Sequence, residues 1–127
     1  MLKGSCLCGG VTFTVDGPVR DPGCCHCSQC RKQSGHYWSS AVAPDKALTV
    51  TGDLRWYSAT PGIRRGFCPA CGSFLFWKED ADQETGFALG AIDGPTGLTL
   101  ARHIFVADKG DYYDIADGLR QEAREDD

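Results

Sequence analysis

The sequence predicts a mainly β protein, an antiparallel sheet or two packed sheets with short helices, forming one domain over residues 1–127. Three observations carry this. Short apolar or alternating runs recur along the chain, each bounded by Gly, Pro or Asp. The 16 glycines and 6 prolines are too many punctuating residues for a helix bundle. The 8 cysteines fall into three tight clusters, which suits sites built on turns between strands.

The runs follow in order. Val11–Val15 alternates in the manner of a half-buried strand. Gln29–Ser34 reads as one short helix, with Ser28 as its start and Gly35 as its stop. Tyr37–Ala43 is apolar-rich and stops at Pro44, Ala47–Thr51 stops at Gly52, and Leu54–Ser58 stops before Pro61-Gly62. Ile63–Phe67 and Ser73–Trp77 flank one cysteine pair, and Gly86–Ile92 and Arg102–Val106 complete the series. The acidic stretches Glu79–Glu84 and Glu122–Asp127 read as a solvated loop and tail.

Lys and Arg number 13 against 17 Asp and Glu, a formal net charge of −4. This argues against nucleic-acid or anionic-membrane partners, which select basic surfaces. No apolar run approaches the length of a spanning helix. Met1-Leu2-Lys3-Gly4 leads into no apolar signal core, so a cytoplasmic, reducing location is expected, where clustered cysteines hold metal rather than disulfides.

The sharpest motif is Phe67-Cys68-Pro69-Ala70-Cys71-Gly72. Pro69 presets a turn, and Gly72 is free to take positive φ, so that backbone N–H groups point back at the sulfurs and spread their charge. The knuckle supplies two ligands, whereas a closed tetrahedral zinc site needs four. Cys6 and Cys8, two apart on an extended segment, face one side and can complete it.

The central run Cys25-His26-Cys27-Ser28-Gln29-Cys30 brings three sulfurs to the start of the expected helix. Three sulfurs leave the fourth zinc position open, the arrangement of a catalytic ion. The cysteines thus divide into a closed set (Cys6, Cys8, Cys68, Cys71), an open set (Cys25, Cys27, Cys30) and a leftover Cys24, a small buried hydrophobe. The rival partition draws Cys24 into a second closed site. His26 should point away from the ion by alternation and support its neighbours from behind. Tyr37 and Trp38 follow the helix, with Trp38 expected in the core. His36 and His103 are candidate acid–base groups, with a packed or surface role as the plainer reading of each.

Together these motifs, from Gly4-Ser5-Cys6-Leu7-Cys8-Gly9 through Cys25–Gly35 to Phe67–Gly72, resemble the glutathione-dependent formaldehyde-activating enzyme family, which shares its domain with centromere protein V. The resemblance spans roughly Leu2 to Gly118. It implies an Mss4-like antiparallel β fold and two zinc ions per chain, one structural on four cysteines and one catalytic on Cys25, Cys27 and Cys30. It further implies a carbon–sulfur lyase-type activity on a glutathione-like thiol and an aldehyde such as formaldehyde.

Charge gives this chemistry a physical basis. Zn²⁺ on three thiolates carries a net −1, which makes a poor Lewis acid for water but leaves a further thiolate nucleophilic. Such a centre needs a cation, and Arg31, Lys32, Arg64 and Arg65 are the candidates, at least one of which should approach it or the carboxylates of a glutathione-like ligand. Two other readings are a zinc-stabilised binding module without turnover, and a thiol redox protein using Cys68 and Cys71.

Overall fold

The computed structural model describes residues 1–125; Asp126 and Asp127, the end of the acidic tail, lie outside them. In chain order the elements are β1 (Leu2–Ser5), β2 (Thr12–Val15), β3 (Arg20–Cys25), α1 (Ser28–Ser34), β4 (Trp38–Pro44), β5 (Leu48–Thr51), β6 (Arg55–Thr60), β7 (Ile63–Phe67), β8 (Phe74–Glu79), β9 (Glu84–Ala88), β10 (Arg102–Ile104) and β11 (Arg120–Gln121), with 3-10 turns at Asp45–Ala47, Leu89–Ala91 and Val106–Asp108. Strands β1, β2 and β5 form a small sheet, and the rest form a large one in the order β11-β10-β3-β4-β9-β8-β7-β6.

The two sheets pack face to face. Val11, Phe13 and Val15 of the small-sheet side bury against Ala41, Ala43, Phe76 and Phe87 of the large one. Phe13 meets Phe76 edge to face, with ring centroids 5.0 Å apart. The opposite face of the large sheet carries a second cluster of Cys30, Trp38, Phe74 and Ala88. Strand alternation assigns the faces: Ala41 and Ala43 turn one way along β4 and Trp38 the other. Between β7 and β8 the register slips at Gly66/Phe67, and Phe74 joins Trp38 while Phe76 enters the first core.

The sheet is mixed rather than purely antiparallel, because β10 runs parallel to both β3 and β11. Strand β3 is not among the runs read from the sequence, for Asp21-Pro22-Gly23 interrupts any apolar or alternating pattern there. A bulge between Arg20 and Gly23, with Asp21 at φ 55°, absorbs these residues and lets the strand continue to Cys25. Strand β9 starts and ends earlier than its apolar run suggests, since Leu89–Ala91 coil into a 3-10 turn. The acidic tail is not wholly solvated: Glu122 accepts from Arg102 at 3.3 Å and from Arg120 at 3.0 Å.

One polar junction ties the neighbouring strands β8 and β9 to the Asp45 turn. The buried Lys78 ammonium donates to Asp45 (2.6 Å) and to the carbonyls of Asp82 and Glu84, while Thr85 Oγ1 donates to the other Asp45 oxygen at 2.6 Å. Burial raises the Asp45 pKa, but the Lys78 and Thr85 hydrogen bonds outweigh it and leave the carboxyl below its ordinary value. Asp45→Asn is therefore expected to cost about 1–2 kcal/mol at neutral pH by urea unfolding. Because the depressed pKa stabilises the fold only while Asp45 is ionised, the gap between variant and wild type should close as the pH falls through that lowered pKa.

Candidate metal centres

The four cysteines Cys6, Cys8, Cys68 and Cys71 come together from the two sheets, all four sulfurs lying within 4.8 Å of one another. Cys6 and Cys8 sit in the turn between β1 and β2, Cys68 and Cys71 in the turn between β7 and β8. Cys6 to Cys8 is 3.6 Å and Cys8 to Cys68 is 3.8 Å. A zinc ion with tetrahedral Zn–S bonds of about 2.3 Å separates its sulfurs by about 3.8 Å, so the spacing fits that ion. All eight cysteines are free thiols.

The backbone is folded to serve these sulfurs. Val11 N–H donates to Cys6 Sγ at 3.2 Å and Gly10 N–H to Cys8 Sγ at 3.4 Å. Gly72, at φ 81°, closes the knuckle by donating to the Cys68 carbonyl at 2.7 Å, a conformation that strains residues with a Cβ. Ser73 ties the turns together, its Oγ 3.3 Å from Cys71 Sγ while accepting Leu7 N–H at 3.0 Å. The Ser73 hydroxyl, aided by the Ser73 and Cys8 backbone N–H groups, pulls the Cys71 thiol down to about 5.

The second group, Cys25, Cys27 and Cys30, also lies within 4.8 Å, sulfur to sulfur. Cys25 ends β3 opposite Trp38; Cys27 caps α1, its sulfur accepting Cys30 N–H at 3.3 Å; Cys30 lies in the first turn, and Gly35 at φ 87° stops the helix. The helix thus starts at Ser28, with Cys27 rather than Ser28 as its cap. Hydrogen bonds from Cys25 and Cys30, reinforced by the Cys30 and Gln29 N–H groups, hold the Cys27 thiol far below its ordinary value, and the same contact with Cys27 pushes Cys25 far up. The trio thus favours one thiolate even without an ion.

Arg65 faces this group. It is only 5% exposed, and its Nη1 lies 3.5 Å from Cys30 Sγ. Gln33 Oε1 at 3.3 Å and Gln29 Oε1 at 3.1 Å hold its fork, and its carbon end lies 5.7 Å from the Phe74 centroid. Its Nε is buried without a partner. Phe74 in turn stacks on Trp38 at 4.1 Å. The other cations go elsewhere: Arg64, one residue away and on the other face, pairs with Asp80 at 2.6 Å and covers Trp56 at 4.5 Å. Arg31 donates its backbone N–H to the Cys27 carbonyl at 2.9 Å, within the helix, and its side-chain Nε is buried without a hydrogen-bond partner.

Cys24 stands apart, fully buried, with its sulfur 3.4 Å from Ser39 Oγ. His26 turns to the same side, away from the sulfurs, toward His103 and Tyr113. His36 meets the Tyr112 hydroxyl at 2.9 Å. Gln29, Gln33, Tyr113 and Asp117 were invisible to sequence reasoning, since neither spacing nor composition marks them out.

Between the two cysteine groups runs a groove of about 700 Å³, bounded by Cys6, Gly72 and Ser73 at the four-cysteine group and by Gln33, Trp38 and Phe74 on the side of the three-cysteine group, a volume suited to a small ligand.

The model of the glutathione-dependent formaldehyde-activating enzyme family matches residues 1–108. The chain belongs to that family. A Rhodobacter sphaeroides protein of known crystal structure is also similar, at 25% identity and a TM-score of 0.63, the likeness covering 75% of this chain and 91% of that one. Among curated proteins none matches. As a member of the family the chain presents two cysteine groups that could bind zinc ions. Among the described residues no helix is long and apolar enough to cross a membrane.

Proposed function

We propose that this protein joins a glutathione-like thiol to a small aldehyde such as formaldehyde, or cleaves the resulting adduct, at a zinc ion held by Cys25, Cys27 and Cys30. One observation carries the reading: three converging sulfurs, against four at the other site, face a buried guanidinium that has no carboxylate partner within hydrogen-bonding distance among the described residues. A buried cation left unpaired is costly, so Arg65 is explained by an anionic neighbour, which three thiolates around a dication would be.

A zinc ion held there would supply a fourth position at which an external thiol stays deprotonated near neutral pH. The chain's own residues then divide the work. Arg65 offsets the negative charge, with Gln29 and Gln33 fixing its orientation. Trp38, Phe74 and Ala88 pack around Cys30 and keep water from the sulfurs. The adjoining groove takes the body of the thiol. In the overall reaction the thiol sulfur bonds to the aldehyde carbon, the carbonyl π bond opens, and the thiol proton ends on the new hydroxyl. Cys6, Cys8, Cys68 and Cys71 hold the structural ion, and location in the cytoplasm completes the reading.

The test is to count zinc in protein purified without added metal, replace it with cobalt, and titrate with glutathione. Two ions per chain, a change in the cobalt absorption on adding the thiol, and S-hydroxymethyl adduct formation from glutathione and formaldehyde are expected. Two ions with no spectral response and no adduct would instead identify a zinc-stabilised binding module, and one ion would remove the open site altogether.

A further inference from the structure

A polar chain, buried at its two histidines and opening to solvent at Asp117, runs behind the open cysteine group, on the opposite face of β3. The Tyr113 hydroxyl meets His26 Nδ1; His26 Nε2 lies 2.8 Å from His103 Nδ1; His103 Nε2 lies 2.8 Å from Asp117 Oδ2. The carboxylate only accepts, so His103 Nε2 donates to it. Each remaining contact pairs one donor with one acceptor: His26 Nε2 with His103 Nδ1, and His26 Nδ1 with the Tyr113 hydroxyl. Every ring nitrogen is then satisfied, which two rings 0% and 2% exposed require.

His26 is the one residue between Cys25 and Cys27. Its backbone N–H is also fixed, donating to the Ile104 carbonyl at 3.0 Å. The outer anchors are themselves held: Asp117 Oδ1 accepts Leu119 N–H at 3.0 Å, and Lys109 Nζ donates to the Tyr113 carbonyl at 2.6 Å while lying 4.7 Å from the Tyr113 ring centroid. Tyr113 and Asp117 both lie beyond residues 1–108, the part matched by the family model.

We propose that the Lys109–Leu119 segment is a positioning element for the Cys25–Cys30 loop, acting through His26. Tyr113 and Asp117 are positioning residues, acting through the His26 and His103 rings that they meet. They set the angle at which the backbone presents Cys25 and Cys27, and with it the geometry offered to a metal ion. This rests on the reading of Cys25, Cys27 and Cys30 as a metal site.

The test measures the affinity of each site for zinc by chelator competition, and the cobalt absorption spectrum of the second site, in Tyr113→Phe and Asp117→Ala. Each variant should hold the second ion about tenfold more weakly and alter its spectrum, with the first ion unchanged. Asp117→Asn, which keeps an acceptor oxygen, should recover most of the affinity. Val15→Ala, which loosens the core between the sheets, should lower the melting temperature and leave second-site affinity alone. Second-site affinity and spectrum unchanged in Tyr113→Phe and Asp117→Ala would overturn the proposal, as would an equal loss in Val15→Ala. Wild-type protein holding a single ion would instead overturn the open-site reading and this one with it.

Discussion

Replacing Cys68 with Ser is expected to unfold the chain, whereas replacing Cys30 with Ser is expected to remove one ion and leave the fold standing. Cys68 is part of the main core and belongs to the group that pins the β1–β2 turn to the β7–β8 turn. Binding of a structural zinc is worth on the order of 10–16 kcal/mol at neutral pH, as large as the whole stability of a typical domain. Loss of one of its four ligands therefore removes much of what holds the two sheets together. Cys30 belongs to a smaller cluster, and the three cysteines of its group all come from the end of β3 and the start of the helix that follows. Thermal unfolding followed by far-ultraviolet circular dichroism, with zinc counted in parallel, checks both variants. Equal unfolding of the two would refute the division into a structural and a working ion.

Arg65→Gln should be the most damaging change that leaves all cysteines in place. It removes the buried cation beside Cys30 and leaves a shorter, neutral polar side chain. Stranding one partner of a buried pair costs about 3–5 kcal/mol, so second-ion affinity should drop at least 100-fold, with adduct formation falling in step. Arg65→Lys should rescue only part of this, because a lysine presents a point charge and cannot meet Gln29, Gln33 and the sulfur at once. Chelator competition on both variants provides the check, and wild-type affinity in Arg65→Gln would show that the guanidinium does not serve the ion.

The sequence made much of this legible because cysteine chemistry is local. Gly72 after Cys71 and Gly35 after Ser34 announce turns whose positive φ the structure bears out at 81° and 87°. The Ile63–Phe67 strand has the bounds read from the sequence, since the knuckle and Pro61-Gly62 delimit it on both sides. What stayed hidden depended on partners far along the chain. Arg20–Cys25 has no apolar or alternating pattern and is a strand through its pairing with β4 and β10. Arg65 and Arg64 are indistinguishable in sequence; strand alternation alone sends one to the sulfurs and the other to Asp80. Asp117 looks like any surface carboxylate until His103 is placed 2.8 Å from it.

The parallel pairing of β3 with β10 has a consequence for biosynthesis. The closed group is complete once residue 71 has left the ribosome, and its ion can be captured on a nascent chain. The Cys25–Cys30 loop gains its backbone support only when Ile104 arrives to accept from His26. An ion held by Cys6, Cys8, Cys68 and Cys71 would thus be taken up before one held by Cys25, Cys27 and Cys30, whose loop is completed after most of the polypeptide has emerged.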